Sequence, residues 1–366
     1  PTNLLFKKQN MKIKNLTVKR IVNNKIISIK NQKINKFYNI FKNTVYKNIK
    51  KNNFLVAVSG GSDSLCLAYF GKKYSLEFKN KVHFIIINHK LRKESSSEAT
   101  KVKHILKKKK INSKIINWKG ILPKSNIQKN ARDIRYSLLS DYCRDNNIKY
   151  IVTGHHLDDQ VENFFIRLIR GSGLTGLSSM PESTDYNAKI KIVRPLLELE
   201  KKDLKYVTLN YFKNYVEDPS NKKDKFLRVR VRKYIKDMEK EGLNTSKIIK
   251  TVNNLLSANK AINFYKNKAL YKHTSFLSEN KCVINKKIFS EEANEIIFKS
   301  FSDVLSLVSG AYYPPRSTKV INLIVRIKKS FYKKSTLGGC LVEKKDDFII
   351  ISKELKNKKI SLELQK

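Results

Sequence analysis

The chain has 366 residues, room for two or three domains with a sizeable core, and 40% of them are hydrophobic, which excludes a disordered polymer. No apolar run reaches the roughly 18 residues of a membrane-spanning helix, and the lysine-rich start lacks an apolar segment ending in a small-residue cleavage site, so neither a membrane partner nor a secretory signal is expected. The formal charge of +46 points to a polyanion, most simply nucleic acid, although an AT-rich genome would raise Lys, Asn and Ile in the same way.

Residues 1–50 are rich in Lys, Asn and Ile, carry no Gly or Pro after Pro1, and are compatible with helix or with disorder. They are set aside as a basic N-terminal extension. From Phe54 onward, strand and helix patterns alternate. FLVAVS is a continuous apolar run, as expected of a strand buried on both faces. VHFIIINH (Val82–His89), SKIINW (Ser113–Trp118) and KYIVTGHH (Lys149–His156) follow, and KIVRPLL (Lys191–Leu197) gives a short fifth strand. Helical stretches lie between them, from Asp63 to about Lys73, Ser96 to Lys110, Ile127 to Asn146 and Asp158 to Arg170. This alternation predicts an α/β fold, a doubly wound parallel sheet with ligands at the C-terminal ends of its strands. The polar clusters SGGSDS, NHKLR and TGHHLDD follow the first, second and fourth strands, where such a sheet presents its site.

Beyond Lys233 the character changes. Residues 234–300 read as helical, with IIKTVNNLLSANKAINFYKNKAL the clearest amphipathic run. From Phe301 a small mixed segment follows, in which TLGGCLVEKKDDFIIISKE reads as a hairpin turning at KKDD. The expected division is an extension to residue 50, an α/β domain over 51–232, a helical region over 233–300 and a small α+β domain over 301–366.

The loop Ser59-Gly60-Gly61-Ser62-Asp63-Ser64 stands between a buried strand and a helix. Two glycines allow close backbone approach, and the free N–H groups and dipole of the helix start favour an anion. Ser62 or Asp63 is expected to cap that helix; the plain alternative is a simple turn. There is no Gly-Lys-Ser/Thr, so the machinery of Walker-type γ-phosphate transfer is missing.

The stretch Thr153–Met180 is the densest in functional residue types. Asp158, Asp159 and Glu162 share one face of a helix start. They either complement the dipole there or serve Mg²⁺ on ATP or an amine. His155 and His156 have no cysteine partners for zinc, and a structural or RNA-contacting role is preferred. RGSGLTGL is expected to form a shaped loop lining a cleft.

Of 77 basic residues only 13 are Arg, and Arg132, Arg135, Arg167, Arg170, Arg194, Arg228, Arg230 and Arg232 fall within about a hundred residues. Where Lys is used almost everywhere, these positions suggest a need for the planar guanidinium fork. Arg132 and Arg135 share a helix face. Arg228, Arg230 and Arg232, two apart, suggest an extended segment presenting all three to one side, toward a substrate backbone or an adenylate, or into a salt-bridge lattice. Cys66, Cys143, Cys282 and Cys340 form no CxxC, so neither a zinc ribbon, an iron–sulfur cluster nor a disulfide framework is expected, and a reducing compartment fits.

Taken together, SGGSDS, NHKLR, NIQKNARDIRY, TGHHLDDQVENFFIRLIRGSGLTGLSSM, RPLL and EDPSN…RVRVR resemble, in family order, the tRNA(Ile)-lysidine synthases of the PP-loop ATP pyrophosphatase superfamily. The resemblance covers about 51–232, and STLGGCLVEKK is similar to the C-terminal domain of longer members. Asn163, where Thr is usual, and Pro219 depart from the pattern. The resemblance implies that ATP adenylates the C2 carbonyl oxygen of the wobble cytidine in a tRNA(Ile) with a CAU anticodon, releasing pyrophosphate. The side-chain amine of free L-lysine then displaces AMP to give lysidine, and the codon read changes from AUG to AUA. It implies catalytic roles for Asp63, Asp159 and Arg132, and nucleotide binding by Ser59, Gly60, Gly61, Ser62, Asp63 and Ser64. Substrate contacts would come from Asp158, Glu162, Arg135, His155, Arg228 and Arg232, and Mg²⁺ would sit on Asp63 and Asp158. The basic helical and C-terminal parts would grip the tRNA, in a possible homodimer located in the cytoplasm or, if organelle-encoded, an organelle matrix. The rival readings are a PP-loop tRNA thiolase, which would usually bring paired cysteines, an inactive RNA-binding relative, and a small-molecule amidotransferase-type ligase.

Overall fold

In the computed structural model, β1 (Phe54–Ala57) turns Phe54 and Val56 into one hydrophobic cluster and Leu55 into another. A strand with period-two side chains and helices on both faces has to be apolar throughout, which is why FLVAVS shows no alternation. The structure describes residues 32–90, 94–120, 127–178, 180–187, 189–217, 227–311 and 314–354. The sequence readings that fall on 1–31, Leu91–Arg92, Asn126, 218–226 (including Pro219) and beyond 354 lie outside them.

Two compact units divide the chain: Pro1–Ser172 with Ser179–Lys250, and Gly173–Ser178 with Thr251–Lys366. In the first unit, β1, β2 (Val82–Asn88), β3 (Ser113–Asn117), β4 (Tyr150–Val152), β5 (Ser183–Asn187) and β6 (Ile190–Val193) form a sheet of order β3-β2-β1-β4-β6-β5. All neighbours are parallel except β5, which runs antiparallel to β6. Strand order reverses between β1 and β4, the switch point at which open α/β sheets bind ligands. The doubly wound parallel sheet is thus present. The strand β5 was not anticipated; its sequence, STDYN, is polar because it lies at the sheet edge.

One face is covered by α1 (Gln32–Ile49), α2 (Ser62–Phe78), α3 (Ser95–Lys108) and, later in the chain, a helix over Lys201–Phe212. The other face carries α4 (Ile127–Asp145), whose Tyr136, Leu139 and Cys143 pack on Leu55, Ile85 and Ile151. Between α4 and the Lys201 helix lie α5 (Leu157–Ile169) and the single turn α6 (Leu174–Leu177); the Lys201 helix is α7, and α8 (Leu227–Lys240) and α9 (Thr245–His273) follow.

Residues 32–49, set aside above with the extension, prove to be part of this unit. Helix α1 buries Ile34, Phe37, Tyr38, Phe41, Val45 and Ile49, spaced three and four apart, and leaves its lysines outside. Phe41 and Phe70 are 5.5 Å apart between ring centroids, and the Tyr38 hydroxyl donates to Glu77 at 2.6 Å. Lysine abundance masks this apolar stripe in a composition-level reading.

The second unit holds an antiparallel sheet, β7-β8-β11-β10-β9, made of β7 (Thr274–Ser278), β8 (Lys281–Asn285), β9 (Lys334–Leu337), β10 (Cys340–Lys345) and β11 (Phe348–Lys353). The short α10 (Ile288–Glu291), α11 (Asn294–Ser309) and α12 (Ser317–Lys328) complete it, and the core includes Cys282, Ile284, Phe301, Val304, Leu323 and Ile351. The hairpin turning at KKDD is β10–β11, with Asp346 at φ 45°. The helical reading of 234–300 fails over 274–285, where Cys282 and Ile284 alternate inward as a strand requires.

Truncating Phe41 to Ala is expected to destabilise the first unit by about 3–5 kcal/mol, as for other buried phenylalanines. Urea unfolding of the variant measures this, and a loss under 1 kcal/mol would show that α1 is not part of the core.

Candidate active site

The loop after β1 is built around Ser64. Its hydroxyl accepts the N–H groups of Ser59 (3.1 Å) and Gly60 (3.0 Å) and donates to the Gly61 carbonyl at 3.0 Å. Gly60 sits at φ +94°, and a Cβ there would lie 2.2 Å from Val102 Cγ2, so both conformation and space demand glycine. The Thr208 hydroxyl donates to the Ser62 carbonyl at 2.6 Å, and the Val216 N–H to the Gly60 carbonyl at 3.0 Å. The loop is therefore braced from α7 and from the segment after it.

The expected cap is not there. Gly61 is the N-cap of α2 and no side chain caps it; Ser62 instead donates to Asp63 Oδ1 at 2.8 Å. A glycine N-cap leaves the first-turn N–H groups without a side-chain acceptor, which suits an incoming anion.

The loop after β4 meets this one. A Cβ on Gly154 would lie 3.3 Å from the backbone of Asp63, so the two loops touch main chain to main chain. Two residues on is His156, the N-cap of α5 and nearly inaccessible. Its Nε2 lies 3.6 Å from Asp63 Oδ2 and 3.4 Å from Asp159 Oδ2, and its Nδ1 lies 3.5 Å from Asp158 Oδ2 without hydrogen-bond geometry. Asp159 also reaches back to accept the His156 N–H at 3.2 Å, the carboxylate half of a capping box. Burial opposes a charged imidazole, but the three carboxylates outweigh it and raise His156 to about 10, so the ring is an imidazolium at neutral pH. Reciprocally, burial would raise Asp63 and Asp158, yet both are held below their ordinary values, chiefly by His156 and then by the Ser62 hydroxyl and the Lys201 N–H respectively.

These contacts sort the carboxylates. Asp63 and Asp159 converge on one ring nitrogen. Asp158, expected to share a metal with Asp63, is on the opposite nitrogen, and its Oδ2 accepts the Lys201 N–H at 2.8 Å, anchoring the start of α7. Glu162 is buried, and both of its oxygens are engaged. Arg232 donates to them at 2.5 and 3.3 Å, and Arg228 Nε lies 2.9 Å from Oε2. Glu162 is therefore a clamp between α5 and α8, where it was expected to contact substrate. The extended reading of RVRVR is overturned for the same reason. The segment is helical, so Arg228 and Arg232, four apart, face Glu162 together, and Arg230 points elsewhere. Arg228 also approaches Asp159 Oδ1 at 3.7 Å.

His155 is held by Thr153, whose hydroxyl lies 2.9 Å from Nδ1. Burial, aided by Arg194, Arg132 and Arg228 against the pull of Asp159, lowers it to about 3, so it is neutral beside a charged neighbour. Arg132 and Arg135 are exposed on α4; Arg132 stacks over Tyr136 at 5.2 Å, and Arg135 Nε donates to His89 Nε2 at 3.5 Å. Among the described residues neither bonds to these carboxylates; Arg132 acts on the cluster as one of the charges that keep His155 neutral. Arg194 is buried and structural, donating to the Pro181 carbonyl and the Thr184 hydroxyl at 2.9 Å each. His156, the centre of the cluster, was passed over as a site residue. The adjacency of three carboxylates within seven residues of sequence and a fourth in the loop was the signal that could have found it.

The PP-loop domain family matches residues 29–239. A tRNA(Ile)-lysidine synthase of Orientia tsutsugamushi is 35% identical over 308 residues, 82% of this chain and 69% of that protein. Another, from Wolbachia pipientis, is 34% identical over 87% of this chain and 74% of its own length. The chain belongs to the tRNA(Ile)-lysidine synthase family. It is accordingly an ATP-dependent tRNA-modifying enzyme, a ligase that forms a carbon–nitrogen bond. Among solved structures, the U34-tRNA thiolase NcsA from Methanococcus maripaludis, determined with its [4Fe-4S] cluster, aligns with a TM-score of 0.53 at 19% identity, covering 62% of this chain and 80% of that one, which supports the common fold. In this lysidine synthase family member the four cysteines are buried, and burial raises every thiol.

A group with a raised folded-state pKa stabilises fully below its unfolded value, about 6.5, and loses that contribution as pH climbs through the folded one. Comparing metal-free wild-type protein with His156→Gln in urea, the stability advantage of the wild type is expected to shrink by on the order of 4 kcal/mol between pH 6.5 and 10. An advantage that stays constant over that range would contradict the charged ring.

Proposed function

We propose that the chain makes lysidine, adenylating the wobble cytidine of a CAU-anticodon tRNA(Ile) and then joining it to free L-lysine. The observation that carries the reading is the convergence of the phosphate-type loop and the carboxylate helix on His156, at the β1/β4 switch point. A glycine N-cap without a side-chain acceptor suits the phosphates of ATP, and the missing Gly-Lys-Ser/Thr fits cleavage between the α and β phosphates better than γ-transfer.

The C2 carbonyl oxygen of cytidine leaves only after it carries AMP. Attack of that oxygen on the α-phosphorus forms the new P–O bond and expels pyrophosphate. The lysine side-chain nitrogen then attacks C2, and AMP leaves with the carbonyl oxygen. Free lysine's ammonium has a pKa of about 10.4, so it must be bound and must lose a proton to attack. Asp159, partly accessible and set between His156 and Arg228, is the group we assign to ammonium binding and proton acceptance. The flanking positive groups attract it from both sides and fix its direction. Glu162, with Arg228 and Arg232, fixes the helix on which Asp159 stands.

Mg²⁺ fits a hard-oxygen donor such as Asp63, a partly exposed carboxylate in the loop, since the ion commonly takes one or two carboxylates together with substrate phosphates. Asp63 would hold it, and when bound the ion would offset charge on the departing pyrophosphate. Asp158 is not assigned to it, being committed to the start of α7. The buried, undissociated thiols give a sulfur-transfer reading no support.

The test combines ATP, radiolabelled lysine and CAU-anticodon tRNA(Ile) with wild-type and Asp159→Asn protein. The wild type should place label in tRNA. The variant should lose about 10²-fold or more in lysine incorporation while retaining tRNA-dependent pyrophosphate exchange. Absence of label with an active control synthase would sink the reading. Full activity in Asp159→Asn would refute the assignment of the proton acceptor.

A further inference from the structure

The phosphate-type loop leaves three consecutive backbone donors open. The N–H groups of Ser59 and Gly60 are taken up by Ser64 Oγ. Those of Gly61, Ser62 and Asp63 meet no acceptor among the described residues. A peptide group is planar, so the direction of each N–H is set by the carbonyl of the residue before it. All three of those carbonyls are held. Gly60 accepts the Val216 N–H at 3.0 Å, Gly61 accepts the Ser64 hydroxyl and the Leu65 N–H at 3.0 Å each, and Ser62 accepts the Thr208 hydroxyl at 2.6 Å. The first hold is a main-chain bond, and the second is made within the loop and the first turn of α2. Among the described residues, only Thr208 holds one of these carbonyls by a side chain from another element. Loop, α2 and α7 all lie in the first unit.

Thr208 is fully buried on α7, on the side that also buries Leu204, Val207 and Tyr211. This side packs on α2, where the Tyr211 and Tyr69 ring centroids are 4.2 Å apart. An apolar residue of the same shape would fill such a position, and a hydroxyl is unfavourable there unless bonded. A helical threonine can satisfy its hydroxyl on a carbonyl one turn back in its own helix; this one reaches across to α2. A carbonyl has two lone pairs, so the Thr208 bond leaves room for the helix ladder and adds a restraint to it. The start of α7, about two turns earlier, is fixed by the Lys201 N–H on Asp158. The hydroxyl is thus presented to the loop from a helix with an anchored end.

We propose that Thr208 is a positioning residue: by holding the Ser62 carbonyl it aims the Asp63 N–H at the phosphates, and so supports the adenylation step with no nucleotide contact of its own. The inference rests on the reading of this loop as the ATP site.

Full-length Thr208→Val removes the hydroxyl and keeps the shape, Thr208→Ser keeps the hydroxyl, and Val207→Ala takes volume from the same helix without touching the loop. In Thr208→Val, tRNA-dependent pyrophosphate exchange should fall about 10-fold in kcat, less than the roughly 10²- to 10³-fold for deleting a donor outright, with the KM for lysine unchanged. Affinity for inorganic pyrophosphate, titrated without tRNA, should weaken about 3- to 10-fold, and the Asp63 amide resonance should shift. Thr208→Ser should restore exchange and pyrophosphate affinity. Val207→Ala should lower the thermal midpoint more than Thr208→Val does and leave both readouts at the wild-type level. Unchanged exchange and pyrophosphate affinity in Thr208→Val, or equal losses in Val207→Ala, would refute the positioning role. A wild type that binds pyrophosphate but incorporates no lysine would refute the lysidine reading alone, and pyrophosphate affinity and the Asp63 amide would still decide this inference. A wild type that binds no pyrophosphate would overturn the loop reading and this inference with it.

Discussion

A single buried imidazolium holds the catalytic end of the sheet together. His156 has two structural neighbours that repel each other, the carboxylates of Asp63 and Asp159, and the ring between them turns that repulsion into attraction. Two carboxylates brought together without a cation would each be pushed toward protonation. With the charged ring between them the repulsion is offset, and Asp63 is held below its ordinary value. The loop that follows β1 and the helix that follows β4 are thereby tied at the point where strand order reverses. Asp158, on the other ring nitrogen, extends the tie to the start of α7, and α7 returns it through Thr208 to the Ser62 carbonyl.

The backbone makes this meeting feasible. Gly60 provides the left-handed turn under Val102, and Gly154 lets the second loop lie against the first. The surrounding charges then differ by function. Glu162 is saturated by two arginines and acts as a rigid strut, while Asp159, partly accessible, lies between an imidazolium and a guanidinium. The neutral His155 and charged His156, adjacent in sequence, show how strongly environment decides: arginines and burial discharge one, and carboxylates charge the other.

Much of the fold was legible because its signals are local. Continuous apolar runs marked β1 to β4, and Gly-rich and acidic clusters fell just beyond them. What was misread depended on partners distant in sequence. RVRVR has a period of two on paper, but its helix follows from packing on α5, with Glu162 as its target. The strands β7 and β8 look weak alone: β8 gains its place by pairing with β11 across some 65 residues, and β7 by pairing with β8. The stripe of α1 was hidden by lysines that merely face solvent. His156 was missed since its importance lies in Asp63, more than 90 residues away. Local patterns therefore identified the elements and the residue types of the site, while the roles of individual charges required the folded geometry.

The central claim is most directly tested by an NMR titration of the imidazole of His156 in the metal-free protein, using selectively ¹⁵N-labelled histidine with His156→Gln for assignment. The ring is expected to stay doubly protonated through pH 8 and to titrate near 10. Titration near the ordinary histidine value of about 6.5 would contradict the account and leave Asp63 and Asp159 without the charge that joins them.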